Sequence, residues 1–256
     1  MKRYSTLKIF LFIGILCQLF SCRKLADELL KDKDADLRIC NIRSITLPDD
    51  EGDLRKLTFS YNSHGDPVYI HNSISYTPYS AHYYFRYNNK RQLTDLITLN
   101  EYKQVVGNWT KYYYSSSGTL LLDTTWSWGE FGSQPDPQSH HITITQYSFD
   151  SKKRISGVSG KTISYDGGDE PESFFHQSFV YDKNGNLSGF RYDNGINIFR
   201  TNRIWQMITR DYSMNNAISG ASYNSWGLPV KITGGDLDFF FFNLADNSRI
   251  EYQCPE

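Results

Sequence analysis

The 256-residue chain lacks an excess of positive charge: 27 Lys and Arg stand against 28 Asp and Glu. Without clustered basic residues it has no electrostatic footprint for nucleic acid. It lacks an apolar run of the roughly 20 residues that cross a bilayer as a permanent helix. It lacks a G-x-S-x-G elbow, a twelve-residue EF-hand spacing, and any histidine followed by a second His or Cys ligand at i+2. His140 and His141 are adjacent, so on a strand they point to opposite faces. The acidic stretches Asp49, Asp50, Glu51, Asp53 and Asp166, Asp169, Glu170, Glu172 read as solvated turns. No spacing marks the facing carboxylate pair of a glycosidase. The sequence therefore implies no metal and no cofactor, and it carries no catalytic signature.

The first residues set the compartment. Lys2, Arg3 and Lys8 precede an apolar stretch from Ile9 to Phe20, broken by Gly14 and Gln18. A cationic start followed by a short apolar segment is the pattern of a secretory signal. Leu19, Phe20, Ser21 and Cys22 follow. They resemble the lipobox of bacterial lipoproteins, in which a small residue precedes a cysteine that is acylated and becomes the mature N-terminus. Phe20 is bulkier than the usual residue at its position. The resemblance implies lipidation at Cys22 and a stable membrane anchor in the cell envelope, at the outer membrane, since two or more acyl chains hold a soluble domain where one does not. Removing residues 1–21 takes away Lys2, Arg3 and Lys8 and no acid, so the formal charge moves from −1 to −4.

Of four cysteines, Cys17 leaves with the signal and Cys22 takes lipid. Cys40 and Cys254 remain, near the two ends of the body. In an exported domain such a leftover pair invites a disulfide; the alternative is two separate buried thiols.

Residues 22–36 are mostly charged and read as a tether, with Leu25, Leu29 and Leu30 at helical spacing. From residue 37 to 256 the character changes to short aromatic and β-branched runs broken by Gly, Asn, Asp and Ser, which are strand and turn signals. The stretch from Asn202 to Met214 is the most ambiguous, and its alternating polar residues predict a strand.

The strongest internal signal is a repeat. Tyr61–Ile70 (YNSHGDPVYI) and Tyr223–Ile232 (YNSWGLPVKI) share seven of ten residues. Weaker copies lie at Tyr87–Leu96, Tyr114–Asp123, Phe149–Val158 and Tyr181–Phe190. Each opens with an aromatic residue followed by Asn, Asp or Ser. Gly65, Gly118, Gly185 and Gly227 hold the fifth position in four copies, while Arg91 and Lys153 hold it in the other two. A polar residue can open a type I turn by bonding the backbone two residues on. A glycine three residues later accepts positive φ and turns the chain back antiparallel. Each copy is thus predicted to be one hairpin, and hairpins are too weak alone to stand without neighbours. The expected fold is all-β: an antiparallel meander of repeated hairpins in an extended, twisted and curved sheet, open or partly rolled.

This pattern resembles the YD repeats of the RHS family, whose unit also runs aromatic, Asp or Asn, two variable residues, Gly, then an apolar residue. The copies here are separated by 26 to 42 residues, less regularly than in RHS shells, and the chain looks most like a small YD-repeat lipoprotein. The resemblance implies architecture and no common activity.

For binding, the largest apolar groups are Trp109, Trp126, Trp128, Trp205 and Trp226. Trp126 and Trp128 share a strand face, Phe131 follows in a Pro-rich stretch, and Trp226 sits at a turn tip. Exposed aromatics stack on sugars or grip proteins; buried ones simply pack the sheet. The reading is an envelope-anchored, non-enzymatic binding or scaffold module for a protein or polysaccharide. The alternatives are a hydrolase of envelope or extracellular glycans and a purely structural envelope protein.

Overall fold

One reverse turn recurs in all six repeats. In the first, the Asn62 side-chain oxygen accepts from the backbone N–H groups of His64 and Asp66. The Gly65 N–H donates to the Asn62 carbonyl, and Gly65 takes φ +78°. Asn88, Asp150, Asp182 and Asn224 accept the corresponding pair of bonds in their copies. Ser115 accepts from Thr119 N–H. This is a type I turn closed by a left-handed residue and a bulge. Arg91 (φ 61°) and Lys153 (φ 62°) adopt the same conformation as the glycines, although a Cβ there costs roughly 1–2 kcal/mol.

The computed structural model describes residues 40–48, 54–74, 81–100, 105–128, 141–165, 172–218, 220–234, 237–239, 242–244 and 246–254. Cys22, Phe131, His140, the signal and tether segments, and most of both acidic stretches lie outside them. The strands are β1 (Asn41–Pro48), β2 (Leu54–Tyr61), β3 (Pro67–Asn72), β4 (His82–Tyr87), β5 (Leu93–Asn100), β6 (Val105–Tyr114), β7 (Leu120–Ser127) and β8 (His141–Phe149). They continue as β9 (Ile155–Ser164), β10 (Glu172–Ser178), β11 (Gly220–Tyr223), β12 (Pro229–Gly234), β13 (Leu237–Phe239), β14 (Phe242–Leu244) and β15 (Arg249–Gln253). Thirteen of these build one open antiparallel sheet in the order β10-β9-β8-β7-β6-β5-β4-β3-β2-β1-β15-β12-β11, while β13 and β14 pair separately. The protein is an all-β meander.

Five repeats join consecutive strands as hairpins, and in each the register shifts at the opening aromatic: Tyr61, Tyr87, Tyr114, Phe149 or Tyr223. The copy at Tyr181–Phe190 keeps the turn, with Gly185 at φ 87°, but pairs only through the single bridge Tyr181–Leu187. From there the chain leaves the sheet edge at β10 and crosses the core face before returning as β11.

The Tyr181–Phe190 copy thus departs from the expected hairpin, and the crossing segment holds a second correction. Where alternation predicts a strand over Asn202–Met214, residues Arg203–Thr209 form a helix, α1. Asn202 caps it, its side chain accepting from Ile204 N–H, and Arg210 ends it in the left-handed conformation at φ 58°. Ile204 and Trp205 are buried on it. Tertiary burial of that pair, anchored by the cap, overrides the polar alternation. Trp205 is fully buried and meets the rings of Phe59 and Phe85 edge-on, each at 5.7 Å. The core continues through Ile45, Leu57, Ile70, Leu93 and Ile250.

Three of the repeat aromatics, and Tyr252 on β15, also tie neighbours together. Tyr87 Oη donates to the Pro67 carbonyl at 2.7 Å, Tyr114 Oη to Leu93 at 2.9 Å, Tyr61 Oη to Ile42 at 2.8 Å, and Tyr252 Oη to Pro229 at 2.8 Å. Burial pushes the Tyr114 phenol up to about 12, and it raises those of Tyr61 and Tyr87 further. All three stay protonated donors at neutral pH. At the seam where the two ends of the repeat domain pair, Asn41 faces Gln253 in the β1–β15 register, and Cys40 is disulfide-bonded to Cys254.

Candidate functional site

Antiparallel pairing carries one row of side chains straight across the sheet on the face opposite the core. Its members are Tyr69 on β3, Tyr84 on β4, Ile97 on β5, Trp109 on β6, Trp126 on β7 and Ile142 on β8, each the register partner of the next. Alternation sets the face: Leu96 and Tyr112 belong to the core, so Ile97 and Trp109, at odd separations from them, point away. Neighbouring strands lie about 4.8 Å apart, and the Tyr69 and Tyr84 rings sit 4.7 Å apart. The four aromatic members are all partly exposed.

The row is fixed by polar contacts. Trp109 Nε1 donates to Asp95 Oδ1 at 2.7 Å. The Arg86 guanidinium and the Lys111 ammonium lie 5.7 and 5.4 Å from the Trp109 ring centre, within cation–π range. Tyr69 Oη is 2.9 Å from His82 Nδ1. The result is an aromatic strip of defined spacing, flanked by cations.

Of the residues singled out in the sequence, Trp126 lies in this strip and Trp226 projects at a turn tip, 43% exposed. Trp128 is buried at 3%, its backbone N–H bonded to the Gly107 carbonyl. It follows the end of β7 and is covered, so Trp126 shares its exposed surface with Trp109 instead. That partnership depends on the register between β6 and β7. The only advance signal was the turn length after Tyr114, which fixes register once the bulge is known.

The core face offers little chemistry. Asp123 is buried, accepts from the Tyr147 hydroxyl and from Thr125, and burial raises its pKa above the ordinary carboxylate value. Asp211 is raised by burial too and bonds Ser213 N–H. It is the one carboxylate lining a cavity of about 380 Å³ beside β10. His141 Nδ1 sits 3.0 Å from Ser164 Oγ. Among the described residues no group of three or more metal-ligating side chains occurs.

Neither a protein-family model nor a curated protein matches the sequence. Solved structures do match, weakly, among them TcdB2-TccC3 without its hypervariable C-terminal region, 14% identical over 77% of this chain with a TM-score of 0.30, and TcdB2-TccC3, 12% identical over 74% with a TM-score of 0.31. The chain spans about 11% of the length of each. Likeness at that level fixes neither fold nor activity.

Proposed function

We propose that the chain is an envelope-anchored, non-enzymatic binding module that presents its aromatic strip to a polysaccharide. The observation that carries this is the register-aligned row of Tyr69, Tyr84, Trp109 and Trp126 across five adjacent strands. Flat aromatic faces spaced by the strand repeat offer successive stacking platforms to a chain of sugar rings, and their rigidity keeps the ordering cost low. The anchor belongs to the same proposal: acylation at Cys22 holds the module at the outer membrane. The six repeated turns with a bulge support kinship with small YD-repeat lipoproteins of that compartment.

Affinity electrophoresis of the full-length chain in gels containing envelope polysaccharide tests the strip. Trp126→Ala is expected to abolish retardation and Trp226→Ala to leave it; equal retardation of wild type and Trp126→Ala overturns the reading. Radiolabelled palmitate incorporation that persists in Cys22→Ala overturns the anchor.

A second reading, a scaffold for a partner protein, is favoured by the open edge at β10. Phe174 on that strand is 77% exposed, and an unpaired edge is a template for an added strand.

A further inference from the structure

On the core face, away from the aromatic strip, α1 and three hairpin turns enclose a cleft of about 670 Å³. That volume is within the range of small-molecule sites. Its floor includes the rings of Tyr114 and Phe149, and its rim carries Lys90, Arg91, Lys153 and Arg203. No carboxylate lines it, which is the reverse of what a two-acid glycosidase requires. Arg91 is held fork to fork by Asp66, Nη2 to Oδ1 at 2.7 Å and Nε to Oδ2 at 2.9 Å, and so is neutralised. Arg203 Nη2 donates to the Arg91 carbonyl at 3.1 Å. Among the described residues Lys90, Lys153 and Arg203 make no ion pair. Three cations therefore line one aromatic-floored cleft whose lining holds no acid, with Asp66, on which the Arg203 charge also acts, bound to Arg91 outside that lining.

The turn chemistry gives an independent pointer. Of the three turns that line the cleft, one has Gly118 at the left-handed position and the other two have the cations Arg91 and Lys153 there; Arg91 is engaged by Asp66, whereas Lys153 has no ion pair among the described residues. Backbone strain retained at a site, where the glycine of the sister repeats would remove it, marks a side chain kept for what it contacts.

We infer that this cleft binds an organic anion: a carboxylate, sulfate or phosphate group carried on a ring that stacks over Tyr114 and Phe149. The cationic rim takes the charge, and the aromatic floor takes the ring. The site is separate from the aromatic strip, so failure of one leaves the other standing.

Calorimetric titration of the full-length chain in detergent tests it with two matched pairs: trigalacturonate against maltotriose, and 1-naphthalenesulfonate against 1-naphthalenemethanol. Each anion is expected to bind more tightly than its neutral partner, and the difference to shrink as salt is raised. Lys153→Gly installs the sister-repeat residue. It is expected to weaken anion binding on the order of tenfold while melting no lower than wild type, which separates lost binding from lost fold. Arg203→Gln is expected to weaken it similarly. If neither anion binds better than its neutral counterpart, or if Lys153→Gly preserves the difference, the inference fails. Trp126→Ala is expected to leave these titrations unchanged.

Discussion

Tyr87 reaches across a repeat boundary to donate its phenolic proton to the backbone carbonyl of Pro67. The same bond recurs from Tyr114 to Leu93 and from Tyr61 to Ile42, so in the first three copies the opening aromatic is both wall and rivet. Tyr87→Phe keeps the ring and deletes the bond, leaving a carbonyl without its donor. A loss of about 1 kcal/mol is expected, read as a lower urea midpoint with unchanged slope.

Gly118, at φ 88°, has the Gln92 amide nitrogen 3.1 Å from where a Cβ would stand. Gly118→Ala is expected to cost roughly 1–2 kcal/mol from backbone strain. The reciprocal change, Lys153→Gly, is expected to be neutral or stabilising by thermal melt. An equal loss in both would show that these positions do not share one turn geometry.

Trp205→Ala removes a ring that is fully buried between Phe59 and Phe85. About 3–5 kcal/mol of destabilisation is expected. Because α1 is held to the sheet largely by this side chain and Ile204, hydrogen exchange is expected to quicken first across residues 198–209.

The Cys40–Cys254 bond joins residues 214 positions apart. In the chain-entropy picture, closing a loop of this size contributes about 5 kcal/mol, an upper figure. The double change Cys40→Ser with Cys254→Ser is expected to lower the melting temperature strongly and to abolish the mobility difference between reduced and non-reduced gels.

Asp66 is 1% exposed. Burial alone would raise its pKa, but the Arg91 hydrogen bond and charge, with the Asn62 bond, together hold it below the ordinary 3.8. Its folded pKa is thus depressed, and the stability it contributes is present above 3.8 and lost as pH falls through the lower folded value. Asp66→Asn is expected to cost about 1–3 kcal/mol at neutral pH. By about pH 2 the gap to wild type is expected to narrow, as protonation removes the same charge. Urea titrations at both pH values check this.

The turns were legible because their cause is local: Asn62 or Asp182 bonds its own backbone, and Gly185 tolerates the reversal without help from elsewhere. All-β architecture followed from counting them. The helix at Arg203–Thr209 was not legible, because its seven residues are stabilised by Phe59 and Phe85, more than a hundred positions away. The binding surface was half legible. Trp126 stood out by type, whereas its true neighbour Trp109 is set by strand register, and the cleft brings turn residues near 90, 118 and 153 to a helix near 203.

The pairing of β1 with β15 puts both ends of the repeat domain in the interior of the sheet, with β10 and β11 left as its margins. Duplication at either terminus would therefore have nowhere to dock. Extra hairpins have open edges to join at β10, ahead of the crossing segment, and at β11, after it. Relatives of different size are expected to differ at these two edges, with the latched seam unchanged.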